Sequence, residues 1–218
     1  MKRYLPFAII AGVFLIAAGG GTLFYFSERQ PVAQAATSIG RAGAEPPHVR
    51  GPANASVRLE EFGDFQCPPC IALFPVLKKV ESDYGVRLCV TFRQFPLAVH
   101  RRALEAARAA EGAGLQGRFW EMHDVLYQNG WVWSRVPDPH ALFAQFAQTL
   151  GLDVERFKRD MESEQVNSRI ISDQQRGASL HVDRTPVLFI NNRRVPIGAL
   201  NASGLHAEID AVLNPKTH

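Results

Sequence analysis

Cysteine is scarce, with three in 218 residues, so the chain is not a small scaffold stapled by disulfides. An excess of one charge is lacking too. The 24 Lys and Arg against 21 Asp and Glu leave a net charge of +3, far from the concentrated basic face of a nucleic-acid binder. No internal repeat is present. Hydrophobic residues at 46% and charged residues at 21% exclude wholesale disorder, collagen and coiled coil. What remains is a chain able to bury its own core, as one medium domain or one plus a small addition.

The long apolar run is at the amino end. Met1-Lys2-Arg3 precedes an uncharged stretch, Tyr4 to Phe26, of 23 residues rich in Phe, Ile, Leu, Ala and Gly. About 20 residues cross the hydrocarbon core as a helix. Lys2 and Arg3 favour a cytoplasmic tip over residues 1–3 and an anchor over 4–26. The rest of the chain then lies on the extracytoplasmic side of the membrane, as a single-pass protein. A cleaved signal peptide is the alternative, because Ala33-Gln34-Ala35 offers small residues at a cleavage position. That alternative leaves a soluble periplasmic protein. Both place the cysteines in an oxidising compartment. Residues 27–52, in Gln, Ala, Gly, Pro and Ser without hydrophobic period, read as a flexible linker.

The folded part is expected over 53–214. Val57 to Phe62 has strand composition, and Val86, Leu88, Val90 and Phe92 alternate with polar positions as a second strand. Between them, Leu73, Phe74, Leu77 and Val80 fall at helical spacing, which makes a parallel βαβ unit. Helical patterns follow, led by Ala103, Phe119, Leu142 and Val154, and the helical insertion spans about 98–165. A longer helix covers Val166 to Leu180. Pro186 to Ile190 and Arg193 to Ile197 form a hairpin about Asn191-Asn192, and Ser203 can cap a last helix. The fold class is α/β, with helices inserted between a βαβ and a ββα unit.

Chemistry concentrates at Cys67-Pro68-Pro69-Cys70, just after the first strand and at the start of a helix. A helix amino end presents unpaired N–H groups and the positive end of the dipole, which favours thiolate over thiol. Two intervening residues bring the second sulfur one turn on, so Cys67 attacks and Cys70 resolves the mixed disulfide. Haem attachment would need His at position 71, which is Ile71. A zinc site would need a second ligand pair, and Cys89 stands alone. No metal is therefore expected, and a purely structural disulfide remains open.

Glu61-Phe62-Gly63-Asp64-Phe65-Gln66 leading into the Cys pair, with Arg184-Thr185-Pro186-Val187-Leu188-Phe189-Ile190-Asn191, resembles the DsbA-like family of thioredoxin-fold thiol:disulfide oxidoreductases, in its membrane-tethered or periplasmic bacterial branch. The likeness runs from about Ala53 to Leu213. It implies a thioredoxin-like fold with Cys67 as exposed nucleophile and Cys70 as buried partner. It implies that Thr185-Pro186 is a cis step against the sulfurs, where the missing Pro N–H leaves an edge for an extended client segment. It also implies that Glu61 is a buried acid able to take the Cys70 proton, the alternative being an edge-strand surface charge. The implied partners are exported proteins with Cys residues and a membrane redox protein that recycles the disulfide. No cofactor is needed, because the disulfide is the redox group. The best-known oxidase of this family has Cys-Pro-His-Cys, whereas here Pro68 and Pro69 donate no N–H. Cys67 must then rely on the Cys70 N–H and the dipole.

Cys89 reads as a small buried hydrophobe, and His100 and His123 as packing or surface residues. Trp131 and Trp133 are packed or line a groove. A reductase or isomerase of the same fold stays open, as does a metal-maturation module using the Cys pair, although none of the three Met lies near it.

Overall fold

The computed structural model describes residues 41–215. The expected tip, anchor, cleavage site and the linker up to residue 40 lie outside them. Among the described residues no helix is long and apolar enough to cross a membrane.

Five strands form one sheet in the order β1-β3-β2-β4-β5. These are β1 (His48–Arg50), β2 (Val57–Gly63), β3 (Leu88–Gln94), β4 (Val187–Ile190) and β5 (Arg193–Arg194). The pairing β2–β3 is parallel, with Glu61 opposite Phe92, and is bridged by helix α1 (Pro68–Tyr84). The pairings β1–β3, β2–β4 and β4–β5 are antiparallel. A helical block separates β3 from β4: α2 (Ala103–Gly114), α3 (Phe119–Gln128), α4 (Gly130–Trp133), α5 (His140–Thr149), α6 (Val154–Met161) and α7 (Glu164–Ser179). Helix α8 (Ala202–Leu213) closes the fold. This is the mixed α/β architecture with inserted helices that the sequence pattern predicts, and the thioredoxin-like fold that the resemblance implies.

Two hydrophobic clusters hold it. Period-two residues Val57, Leu59, Leu88, Val90, Leu188 and Ile190 pack under Leu73, Leu77 and Val80 of α1 and Leu205 and Ile209 of α8. The second cluster joins the active-site turn to the insertion through Phe65, Cys70, Phe92, Met122, Trp133, Phe143 and Phe157. The small face of α2 serves close packing: a Cβ on Gly112 would stand 3.2 Å from Met161.

Several expectations change. The linker does not reach residue 52, because β1 pairs with β3 and the Ala44 N–H donates to the Asp173 carboxylate at 2.8 Å. Gly51 makes the following turn with φ +97°, where a Cβ would collide with the Leu88 carbonyl, a conformation that favours glycine. Val86 is not in the strand; it sits in a 3-10 turn, Gly85–Arg87, and is 80% exposed. The return strand is only Arg193–Arg194, since Pro196 and the 3-10 turn Ile197–Ala199 end the ladder. The turn itself follows Asn191-Asn192, both at positive φ. Asn201 rather than Ser203 caps α8, accepting from the Gly204 N–H at 3.0 Å.

Candidate active site

The β2 strand delivers Glu61 and then Asp64 to the carboxyl end of the sheet, and α1 starts there with Cys67 at its N-cap. Pro68 and Pro69 fit the first helical turn, where their lack of N–H costs nothing. With Pro68 and Pro69 lacking an N–H, that of Cys70 is the first in the helix able to face the Cys67 sulfur. Both Cys67 and Cys70 are free thiols.

The two sulfurs differ in environment. The Cys67 thiol donates to the Thr185 carbonyl oxygen at 3.3 Å, and the Thr185-Pro186 bond is cis. With that step against it, Cys67 is 4% exposed, not the open nucleophile that the resemblance implied. Its pKa is lowered to about 6, first by the Cys70 thiol, then by the Thr185 side chain and only afterwards by the Cys70 N–H, against burial and the Asp64 carboxylate. The stabilisation expected from the backbone is thus supplied mainly by the partner sulfur. Burial, then Cys67 and Glu61, push Cys70 well above the usual thiol range. One sulfur is primed as thiolate and the other holds its proton.

Glu61 lies in the central strand, 3% exposed, so it is not an edge-strand surface charge. Burial first, and the Glu81 carboxylate next, raise its pKa to about 8, with Arg50 opposing. It is a carboxyl poised to hold or release a proton near neutral pH.

Sequence reasoning gives no part in the site to three residues here, although it reads His123 as a packing or surface residue. The buried Asp64 carboxylate accepts from the Gln66 N–H at 2.8 Å and the Leu97 N–H at 2.9 Å, and lies 2.7 Å from His100 Nδ1. It pins the 97–100 loop to the active-site turn. An Asp two residues before the N–H it caps is an Asx-turn pattern, so that signal was available. His123 and Tyr127, on α3, pack their rings against Phe65 and Phe92, and nothing near the Cys pair in sequence announces them. Burial lowers the His123 pKa to about 4 despite Asp124 beside it.

Other candidates separate. Cys89 is buried in β3, away from the pair, and Trp133 is buried with its Nε1–H donating to the Leu126 carbonyl at 2.7 Å. Trp131 is 50% exposed. Among the described residues no three of His, Cys, Asp or Glu converge on a metal position. A groove of about 530 Å³ runs beside the pair, lined by Pro69, Ala72, Leu73, Val76, Thr185, Pro186, Ile197 and Leu200, with Arg184 and Asn201 as its polar members.

A family profile described as thioredoxin matches residues 44–211. Among curated proteins, a Na(+)/H(+) antiporter NhaA 1 of Mycolicibacterium gilvum is 38% identical over 152 residues, covering 67% of this chain and 24% of that one. The chain thus spans about a quarter of the length of the curated relatives it matches. Among solved structures, a thioredoxin-like oxidoreductase from Silicibacter pomeroyi is similar at TM-score 0.64 and 24% identity, covering 77% of this chain and 92% of that one. Oxidised BdbD from Bacillus subtilis is similar at TM-score 0.65 and 20% identity, covering 80% of this chain and 98% of that one. With the match over residues 44–211, the chain belongs to the thioredoxin family, and its fold is that of the DsbA-type proteins.

Proposed function

We propose that the chain is a thiol:disulfide oxidoreductase that exchanges disulfides with Cys residues of exported proteins through Cys67 and Cys70. The observation that carries this reading is the placing of two free thiols at one helix start, Cys67 at the N-cap of α1 within 3.3 Å of the Thr185 carbonyl and Cys70 fully buried one turn on, an arrangement that lowers the first pKa and raises the second. Thiolate is the attacking and departing form in thiol–disulfide exchange.

In the reducing direction the Cys67 thiolate attacks a client disulfide. A Cys67–client bond forms and one client sulfur leaves as thiolate. Cys70 then gives its proton to ionised Glu61 and attacks the Cys67 sulfur, forming Cys67–Cys70 and releasing the second client sulfur, which takes up a proton. In the oxidising direction the same steps run backwards: a client thiolate attacks Cys67, and Cys70 leaves as thiolate and is protonated by Glu61. Two electrons move between client and pair in either case, and the one proton the pair exchanges passes between Cys70 and Glu61, so the disulfide itself suffices as redox group.

Client binding follows from the surroundings. An extended segment pairs with the backbone at Thr185 beside the sulfur. Its apolar side chains lie along the groove of Pro69, Val76, Leu200 and Ile197, the last 71% exposed. The proposed setting is extracytoplasmic, tethered by the apolar segment over 4–26, with a membrane redox protein returning the pair to its working state.

The test is a redox titration of residues 41–218 against glutathione. A two-electron transition that vanishes in Cys67→Ser supports the reading, and its midpoint gives the direction. A strongly oxidising value makes it an oxidase, and a value like that of thioredoxin makes it a reductase. A Cys67→Ser protein that still oxidises reduced client would remove the mechanism.

A further inference from the structure

Resolving a mixed disulfide, or forming one from the disulfide form, places negative charge for a moment on the Cys70 sulfur. That sulfur is fully buried, and burial, Cys67 and Glu61 all resist its ionisation. The Asp64 backbone N–H is the one group that favours the thiolate, ranking after all of these, and the arrangement of α3 supplies a candidate for a second.

The Tyr127 ring is clasped by residues that bracket Cys70. Its centroid lies 4.8 Å from that of Phe65 in the active-site turn and 5.4 Å from that of Phe74, stacked at 25°. Phe74 is four residues after Cys70 on α1, the next turn on the same face. The hydroxyl end reaches β2, where a Cβ on Gly63 would stand 2.8 Å from the Tyr127 oxygen. Gly63 and Glu61 share one face of that strand. In the dithiol form this hydroxyl is buried and has no hydrogen-bond partner among the described residues, a state that costs stability and calls for a functional explanation. Its ionisation is pushed well above the usual phenol range by burial and then by Cys70 and Glu61, so it stays an O–H donor throughout.

We infer that the Tyr127 hydroxyl is the hydrogen-bond donor reserved for the Cys70 sulfur while that sulfur is a thiolate. This rests on the exchange reading above and deepens it. Tyr127 gives up no proton; the proton still passes between Cys70 and Glu61, and the bonds formed and broken are those already described. Because the thiolate occurs in both directions, the donor serves an oxidase and a reductase alike. The titratable groups around this centre are Glu61 on β2, Asp64 in the turn, Cys67 at the N-cap and His123 on α3, with Glu81 and Arg50 acting on Glu61.

Tyr127→Phe keeps the ring and removes only the donor. Reduced wild-type and variant proteins are mixed with oxidised glutathione, and both glutathione releases are followed across pH. The first step is isolated in a Cys70→Ser background. Expected are an unchanged first step, a resolving step slowed about tenfold, and a resolving pH profile displaced upward. Thermal stability should not fall, because no hydrogen bond is lost. Coincident resolving rates and profiles would overturn the inference, as would equal slowing of both steps, which is what a packing defect produces. A wild-type protein with no resolving step at all would instead bring down the exchange reading itself, and the donor role with it.

Discussion

Glu61 is a residue whose charge is decided by where the fold puts it. In the unfolded chain it titrates as an ordinary carboxylate, near 4.5; in the folded protein burial and Glu81 raise it to about 8. Between those values the folded state binds a proton that the unfolded state has lost, so stability falls as pH rises through this window. Below about 4.5 both states are protonated and the penalty is absent. Glu61→Gln removes the titration and keeps the shape. Melting curves of the two proteins should therefore diverge from pH 5 to pH 9. The Gln variant should be the more stable at the alkaline end by several kcal/mol, since each pH unit between the folded and unfolded values is worth on the order of 1.4 kcal/mol. Parallel curves across that range would mean that Glu61 ionises freely in the folded protein. The sequence identifies the residue but not its burial. Val57 to Phe62 has the composition of any strand, and its central position depends on β4, which is distant in sequence and inserts beside it. The Cys pair is legible because its chemistry is local to four residues. Tyr127 is not, since it meets Cys70 only after α2 and α3 have folded across the sheet.

At the scale of elements, β1 shows what a composition reading loses. His48–Arg50 is three residues long, flanked by Pro46, Pro47 and Gly51, too short for any period to appear. Its partners are all far away in sequence. His48 Nε2 lies 2.8 Å from the Glu111 carboxylate, and its ring stacks on Phe119 at 3.5 Å. Arg50 donates to Glu81 at 3.1 Å and Asp124 at 2.7 Å, and lies over the Trp120 ring at 4.2 Å. Glu111 is fully buried and also accepts from Arg169 at 2.7 Å. A protein starting at residue 51 leaves this carboxylate with Arg169 and Gln94 but without His48, and uncovers Asp124 and Trp120. Breaking a buried charged network costs about 3–5 kcal/mol. Residues 51–218 should thus melt on the order of 10 °C below residues 41–218, at roughly 2–4 °C per kcal/mol for a domain of this size. Equal melting temperatures would show that β1 is ornamental. The longer insertion helices, by contrast, are readable from sequence, because an amphipathic period over ten residues repeats often enough to be seen, whereas the four residues of α4 show none.

Across the whole molecule, the sheet half and the helical insertion have separate hydrophobic clusters, yet the residues between them argue for one folding unit. Trp120 packs against both clusters, and its Nε1–H donates to the Val49 carbonyl at 2.9 Å. Asp173 on α7 accepts from the Gln94 N–H at 3.1 Å and pairs with Arg93 at 3.0 Å, fastening the last helix of the block to β3. Cys70 belongs to the insertion cluster while its helix packs on the sheet. The active site is therefore the seam, and neither half buries its own share of it alone. The residue distribution offers two separate probes of this. All three Trp, at positions 120, 131 and 133, are in the insertion. In a Cys67→Ser/Cys70→Ser protein the remaining thiol is Cys89, buried in β3 of the sheet. Urea unfolding of residues 41–218 followed by Trp fluorescence and by pulse labelling of Cys89 should give one midpoint, as a cooperative unit requires. A Trp transition complete while Cys89 is still protected would mean that the insertion melts as an independent lid, and that the pairing of Tyr127 with Cys70 is looser than its packing implies.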